Sequence, residues 1–374
     1  MQIAQSQYMN GVWNPPLEPS LEGSQCILAF GNRELLPSAL QNIENQFPDA
    51  ILTAASTSGE IYADQVHENS VSLNVISFQK TNIKSSITTC PNVNQSEDAG
   101  KKLGRELNAV DLKHVFILSN GLTVNGTALA KGIQQEVGKG VSISGGLAGD
   151  GADFKKTEIF ANQKSGQDLI VAVGFYGDAI AISCSAYGGW SPFGPIRLVT
   201  HSDGSVLNQL DNSSALIKYK EYLGDDAAGL PMNALLYPLL ITPKDSPRSM
   251  VRTVLAIDEN TSAMTFAGDI PQGSHAQLMR ANTDDLVDGA TNAADNALLD
   301  LGSEPQLAIL VSCVGRKLLM KQRTEEEVEA VRDALGDRPS ITGFYSYGEL
   351  APMQKGEPCD LHNQTMTITL MSEK

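Results

Sequence analysis

Four strings in this chain have the residue types of known catalytic or binding loops, and each stops short at one position. Gly121-Leu-Thr-Val-Asn-Gly126 has the spacing of a loop whose backbone N–H groups cradle phosphates, but Thr127 stands where the phosphate-binding lysine belongs. GVSIS, residues 140 to 144, resembles the turn that exposes a nucleophilic serine, yet Ser144 replaces the closing glycine. His67-Glu68 opens a zinc-protease string that needs a second histidine at position 71, which is Val71. GGLAGDG, residues 145 to 151, lacks the glycine order of a dinucleotide turn. The histidines His67, His114, His201, His275 and His362 are scattered and form no short metal-ligand pair. With no nucleophile paired to a base, the chain reads as a non-enzyme.

Two carboxylates are more informative. Glu60 follows Gly59 and Glu349 follows Gly348, each at the carboxyl end of a predicted strand. A carboxylate there can accept hydrogen bonds from an amine ligand, or equally cap a neighbouring helix or loop. Arg252 is the candidate for fixing the opposite charged end of such a ligand. With Ser56, Gly145 and Gly146 at the other strand ends, these residues form the candidate ligand-binding set.

The elements that must position them recur three times: apolar run, polar loop, amphipathic helix, second apolar run, glycine turn. CILAF (26 to 30), a helix with Leu36, Leu40, Ile43 and Phe47, and AILTAA (50 to 55) make the first copy. HVFILSN (114 to 120), a helix with Leu129, Ile133 and Val137, and VSIS (141 to 144) make the second. LAILVSC (307 to 313), a helix opened by a Thr324–Glu327 capping box with Val328, Val331 and Leu335 inside, and SITGFYSYGEL (340 to 350) make the third. The S-Y-G-E-L of the third copy echoes the T-S-G-E-I at 57 to 61. Parallel strands joined by helices place ligands beyond their carboxyl ends, where each glycine turn falls. Residues 168 to 188 read as a hairpin around Gly177-Asp178, and 249 to 281 as an antiparallel meander. The expected fold is α/β, two related mixed-sheet domains with repeated strand-helix-strand units plus antiparallel meanders.

At 374 residues the chain has room for two domains, and 41% hydrophobic content can bury their cores. Residues 10 to 23, with Pro15, Pro16 and Pro19, predict an extended N-terminal arm (1–23) outside the first core, and the fold starts near Ser24. The net charge of -16, without a basic block, argues against nucleic acid and anionic membranes as partners. Cys26, Cys90, Cys184, Cys313 and Cys359 are odd in number and unpaired in spacing, as expected of reduced thiols. No basic start with an apolar stretch suggests a leader and no apolar run suggests a membrane span, so the expected location is cytoplasmic. Sheet edges and the N-terminal arm allow a homodimer, although no heptad pattern demands one.

The strings STSGEI, GGLAGDG, YGGWSPFGP, VTHSDGSVLNQLDNSSALIKYKEYLG, GDIPQGS, GFYSYGELAP and LHNQTMTITL, in this order, resemble the FIST (F-box and intracellular signal transduction) proteins. The likeness runs from about Ser24 to the C-terminus and implies an N-terminal half (24–221) and a C-terminal half (222–374). It implies a sensory role, with a small ligand such as an amino acid and a signalling partner. A narrower resemblance, to the nitric-oxide-sensing NosP group, implies haem b and control of a histidine kinase feeding two-component or cyclic-di-GMP signalling. If that holds, an axial iron ligand is needed in an apolar pocket. His362 is the first candidate, with Tyr345, Tyr347 and Cys359 behind it and Phe344, Met353 and Trp190 as candidate lining. The alternative for His362 is a bond to backbone at a strand start. The alternative for the whole chain is a metabolite-binding module without haem; an enzyme using the glycine-turn pocket is a further one.

Overall fold

All three strand-helix-strand runs form, and all three are built alike. The computed structural model describes residues 1–17, 26–244 and 248–374. The first unit holds β1 (Gln2–Met9), β2 (Val12–Asn14), β3 (Cys26–Gly31), α1 (Leu36–Gln46), β4 (Ile51–Ser56), a hairpin of β5 (Glu60–Tyr62) and β6 (Gln65–His67), and β7 (Val71–Ser77). The second holds β8 (Asn82–Thr89), α2 (Ser96–Leu107), β9 (Leu112–Ser119), α3 (Gly126–Val137), β10 (Ser142–Leu147), the hairpin β11 (Ile159–Ala161) and β12 (Lys164–Gly166), and β13 (Leu169–Tyr176).

The third unit begins with β14 (Ile180–Tyr187) and is then interrupted by an inserted β-domain. The insert comprises β15 (Ser191–Asp203), β16 (Val206–Leu210), β17 (Ser213–Ser214), α4 (Ala215–Leu223), β18 (Leu239–Thr242), β19 (Met250–Arg252), β20 (Val254–Asp258), β21 (Ala263–Phe266) and β22 (His275–Arg280). The unit resumes with α5 (Thr283–Leu301), β23 (Leu307–Cys313), α6 (Val314–Met320), α7 (Glu325–Leu335), β24 (Ser340–Ser346), the hairpin β25 (Gly348–Ala351) and β26 (Asp360–His362), and β27 (Met366–Glu373).

The three unit sheets run β12-β11-β4-β3-β7-β1-β2, β26-β25-β10-β9-β13-β8 and β6-β5-β24-β23-β27-β14. In each, the two crossover strands are parallel neighbours and the closing strand is antiparallel to the first of them. The hairpin after each crossover leaves its own sheet: β5-β6 joins the third, β11-β12 the first and β25-β26 the second. This cyclic exchange pairs the edge that β4, β10 and β24 would otherwise present to solvent.

Both faces of the crossover strands are buried, which explains their continuous apolar runs. Leu28, Phe30, Phe116, Leu118, Ile309 and Val311 point into one core shared by the three sheets. The alternate residues pack outward under the helices: Ile27 and Ala29 under α1, Val115 and Ile117 under α2 and α3, Ala308 and Leu310 under α5 and α7. The insert has its own sheet and a core around Val199, Leu207, Tyr219, Phe266 and Leu278.

The α/β class with mixed sheets stands, and several local expectations are corrected. The N-terminal arm is not outside the core over its first part, because Gln2–Tyr8 pairs with Val71–Ser77. QIAQSQYM has too few apolar residues to announce a strand. Residues 18–23 of that arm, Pro19, and the expected start at Ser24 lie outside the described residues. β13 and β14 do not form a hairpin across Gly177-Asp178; β13 pairs with β8 and β9, and β14 with β27. In the expected meander β20 and β21 pair, whereas β19 pairs with β18, and β22 lies between β15 and β18. β5, β6 and β14 share a sheet with β23, β24 and β27. The Thr324–Glu327 capping box does not form: Thr324 Oγ1 donates to Lys321 O, and Glu327 turns into the interior.

Candidate ligand-binding site

The carboxyl ends of the crossover strands meet in a closed ring of backbone hydrogen bonds. Ser56, Leu147 and Tyr345 hold the same register position, opposite Gly31, Ser119 and Ser312. Two residues on, Ser58 N donates to Tyr345 O at 2.8 Å, Gly149 N to Ser56 O at 2.9 Å and Tyr347 N to Leu147 O at 3.2 Å. Each unit is therefore tied to its neighbour by the same contact.

Beside this ring opens a cavity of about 450 Å³ walled by all three units. The first unit supplies Asn32 and Arg33 after β3, Thr57 to Glu60 after β4, and Glu68; the second supplies Asp150 to Asp153; the third supplies Val314, Lys317 and Leu318 from α6. The wall is polar and carries both signs of charge.

Glu60 sits at the wall with 1% of its surface exposed. Thr57 Oγ1 and Ser70 Oγ each donate to one of its oxygens at 2.8 Å. Burial raises its pKa to about 7, while the Ser70 and Thr57 hydroxyls and the Lys317 charge pull the other way. Lys317 Nζ donates to Ser58 O at 2.6 Å, pairs with the Glu68 carboxylate, and lies 5.7 Å from the centre of the Tyr345 ring. Gly59 suits its backbone conformation, φ +137°, which side-chain-bearing residues rarely adopt, and it lets Lys317 Nζ approach closely.

The third wall is a loop fastened by its own carboxylate. Asp150 accepts the backbone N–H groups of Lys155 and Lys156 at 2.9 and 2.7 Å, together with the Tyr347 hydroxyl. The Tyr347 oxygen accepts Phe154 N–H at 3.1 Å, and the two rings stack at 4.3 Å.

Of the residues expected from sequence, Gly59 and Glu60 line this cavity and Ser56 lies in the ring just behind it, its Oγ accepting Glu158 N at 2.9 Å. The others do not line it. Gly145 has no room for a side chain because a Cβ would lie 1.9 Å from Ile117 O, and Gly146 packs on Val311 and Phe344. Gly348 packs on Leu361 and Leu147. Glu349 is fully buried, accepting from Ser346 Oγ at 2.6 Å and Thr365 Oγ1 at 3.1 Å, with a pKa raised by burial to about 8. Arg252 is buried at the insert, where it donates to the carbonyls of Leu361, Val251 and Asp269.

The candidate iron ligands do not line this cavity, and each is engaged or buried elsewhere. His362 Nε2 donates to Ala351 O at 2.8 Å, so the backbone alternative describes it. Tyr345 OH donates to Glu327 at 2.7 Å, Tyr347 OH to Asp150, and Cys359 is buried with its thiol pKa pushed up. Phe344, Trp190 and Met353 share no pocket: Phe344 lies in the central core, Trp190 in a cluster with Met279 and Met320, and Met353 on the surface.

Sequence reading missed Asn32, Arg33 and Lys317. For Asn32 and Arg33 the signal was available, because the first strand of each copy ends on the same side as the second. The residues just after β3 and β23 therefore reach the same rim as the glycine turns.

The FIST N domain model matches residues 25–213 and the FIST C domain model matches residues 215–352. No curated protein matches the chain. Among solved structures, cyanuric acid hydrolase from A. caulinodans aligns over 100% of this chain and 99% of its own, at 8% identity and a TM-score of 0.41. PurLQS from Thermotoga maritima aligns over 85% of this chain and 74% of its own, at 8% identity and a TM-score of 0.21.

Proposed function

Because the chain belongs to the FIST family and carries both its N and C domains, we propose that it senses a small ligand held in the cavity at the strand ends. The observation that carries this reading is the placement of Lys317 and Glu60 in the wall of one cavity built from all three units. A ligand of amino-acid size suits the volume. Its carboxylate would meet Lys317 and Arg33, and its ammonium would meet Glu60 and compete with Lys317 for Glu68.

The reading is one of binding. Of the hydroxyls in the wall, Ser58 Oγ donates to Gly151 O at 3.1 Å, and Thr57 Oγ1 donates to Glu60, whose other oxygen is held by Ser70 Oγ. Signalling requires that the ligand favour one arrangement of the protein over another. A histidine kinase or a cyclic-di-GMP enzyme is the kind of partner that would read that difference. Haem-based sensing of nitric oxide would need the buried donors around His362 to be released from their present bonds, and a visible spectrum after haem titration without a Soret band would remove it.

Thermal-shift screening against the standard amino acids tests the main reading. One or a few should raise the melting temperature of the wild type, and that gain should vanish in Lys317→Met. No shift with any of them would overturn it.

A further inference from the structure

Resting on that reading, we infer that α6 passes the occupancy of the cavity to the inserted β-domain, with Arg316 holding both strands of the insert's root. α6 lies between the two. Val314, Lys317 and Leu318 face the cavity, while Met320 packs with Trp190, Met279 and Leu286 at the base of the insert.

Arg316 is fully buried beside Lys317 on this short helix. Its Nη1 donates to the carbonyl of Gly188, just past the end of β14 where the chain departs for the insert. Its Nη2 donates at 2.7 Å to the carbonyl of Leu286, in the first turn of α5 where the chain returns. One planar guanidinium thus ties the outgoing and incoming strands together, a task for which its fork of donors is suited.

The other side of Arg316 leads back to the ligand. Nε and Nη2 donate to Glu327 Oε2 at 2.9 and 2.7 Å, and Glu327 Oε1 accepts Ser312 Oγ and Tyr345 OH at 2.9 and 2.7 Å. The Tyr345 ring lies beneath Lys317. Arg316 and Glu327 are both without solvent exposure, so separating them would strand a buried charge, and they move as one body.

There is little slack in this path. A Cβ on Gly315 would lie 2.3 Å from Gln364 Nε2, which itself donates to Leu235 O in the insert at 2.9 Å. Trp190 Nε1 donates to Gln364 O at 2.9 Å. A shift of α6 must therefore displace Gln364, and with it the insert's contact. Among the described residues, Gln364 Oε1 is buried without a hydrogen-bond partner.

Amide hydrogen exchange on the full chain tests the coupling without any ligand. Three proteins are compared with the wild type: Lys317→Met, Arg316→Lys, and Arg33→Met as a cavity cation outside α6. Lys317→Met should speed exchange at least about threefold in peptides covering 186–192 and 284–290, whereas Arg33→Met should leave them unchanged. Arg316→Lys, which keeps a cation for Glu327 but loses the fork, should loosen the same two peptides. In a Trp13→Phe background, Lys317→Met should also shift the emission of Trp190. Changes in Lys317→Met confined to residues 57–69 and 314–320 would overturn the inference, as would equal effects of Arg33→Met at the insert's root. Because no ligand is added, failure of the amino-acid screen would remove the ligand reading and leave this result standing.

Discussion

Glu60 and Glu349 are one carboxylate used twice. Each stands three residues after a hydroxyl that donates to it, Thr57 at 2.8 Å and Ser346 at 2.6 Å, and each is paired in register with a histidine, His67 and His362. They differ in surroundings: Glu60 reaches a cavity, and Glu349 is sealed inside. At the corresponding position of the second unit stands Gly151, which also lines the cavity.

Their titration sets a pH dependence. Both carboxyls have folded pKa values raised from 4.5, to about 7 for Glu60 and about 8 for Glu349, so the folded state holds their protons more tightly than the unfolded. The sign follows: stability is lost as the pH rises from about 4.5 through about 8. Glu349→Gln should therefore be more stable than the wild type at pH 8 by about 1–3 kcal/mol and gain little at pH 4. Urea titrations at the two pH values check this, and a gain confined to pH 4 would contradict it.

The glycines inside β10 and β24 should be intolerant of a methyl group. Gly145 and Gly343 have φ of +150° and +156°, and a Cβ would lie 1.9 and 1.8 Å from the carbonyl oxygens of Ile117 and Leu310. Gly145→Ala and Gly343→Ala should each cost more than about 3 kcal/mol. Gly138→Ala, at φ +83° with no described atom within 4 Å of a Cβ, should cost about 1 kcal/mol. Denaturant midpoints give the comparison.

The Arg316–Glu327 pair should show the asymmetry of a buried ion pair. Arg316→Met or Glu327→Gln alone should destabilise by about 3–5 kcal/mol, because the partner's charge is left uncompensated. Arg316→Met with Glu327→Met should cost less than the sum, and a double-mutant cycle measures the difference.

Tyr347 should hold the 150–156 loop shut. Its hydroxyl contacts Asp150, Gly151 O and Phe154 N. Tyr347→Phe should raise tryptic cleavage after Lys155 and Lys156 several-fold while leaving the melting temperature within a few degrees. An unchanged cleavage rate would show that the Phe154 stack alone fixes the loop.

The three units were legible because residues such as Leu28, Phe116 and Ile309 lie in apolar runs buried on both faces. The exchange of hairpins was not, because a strand as short as Glu60–Tyr62 carries no mark of which sheet it will join; closure of the three units decides that. Glu327 has the position of a capping residue, but the buried Arg316 together with the Ser312 and Tyr345 hydroxyls holds it inward. Arg252 looked like a ligand clamp because an arginine's sequence context does not reveal carbonyl partners as distant as Leu361. Glu60 was found since its glycine turn fell at a strand end, and Lys317 was not, since the turn after β23 holds a helix that the apolar pattern did not announce.

The central claim is that the ligand occupies the cavity between Lys317 and Glu60. Isothermal titration of the amino acid that most raises the melting temperature, into the wild type, Lys317→Met and Arg280→Gln, tests it directly. Saturable binding at one site is expected, weakened at least about tenfold in Lys317→Met and unchanged in Arg280→Gln. Equal affinity for the wild type and Lys317→Met would contradict it.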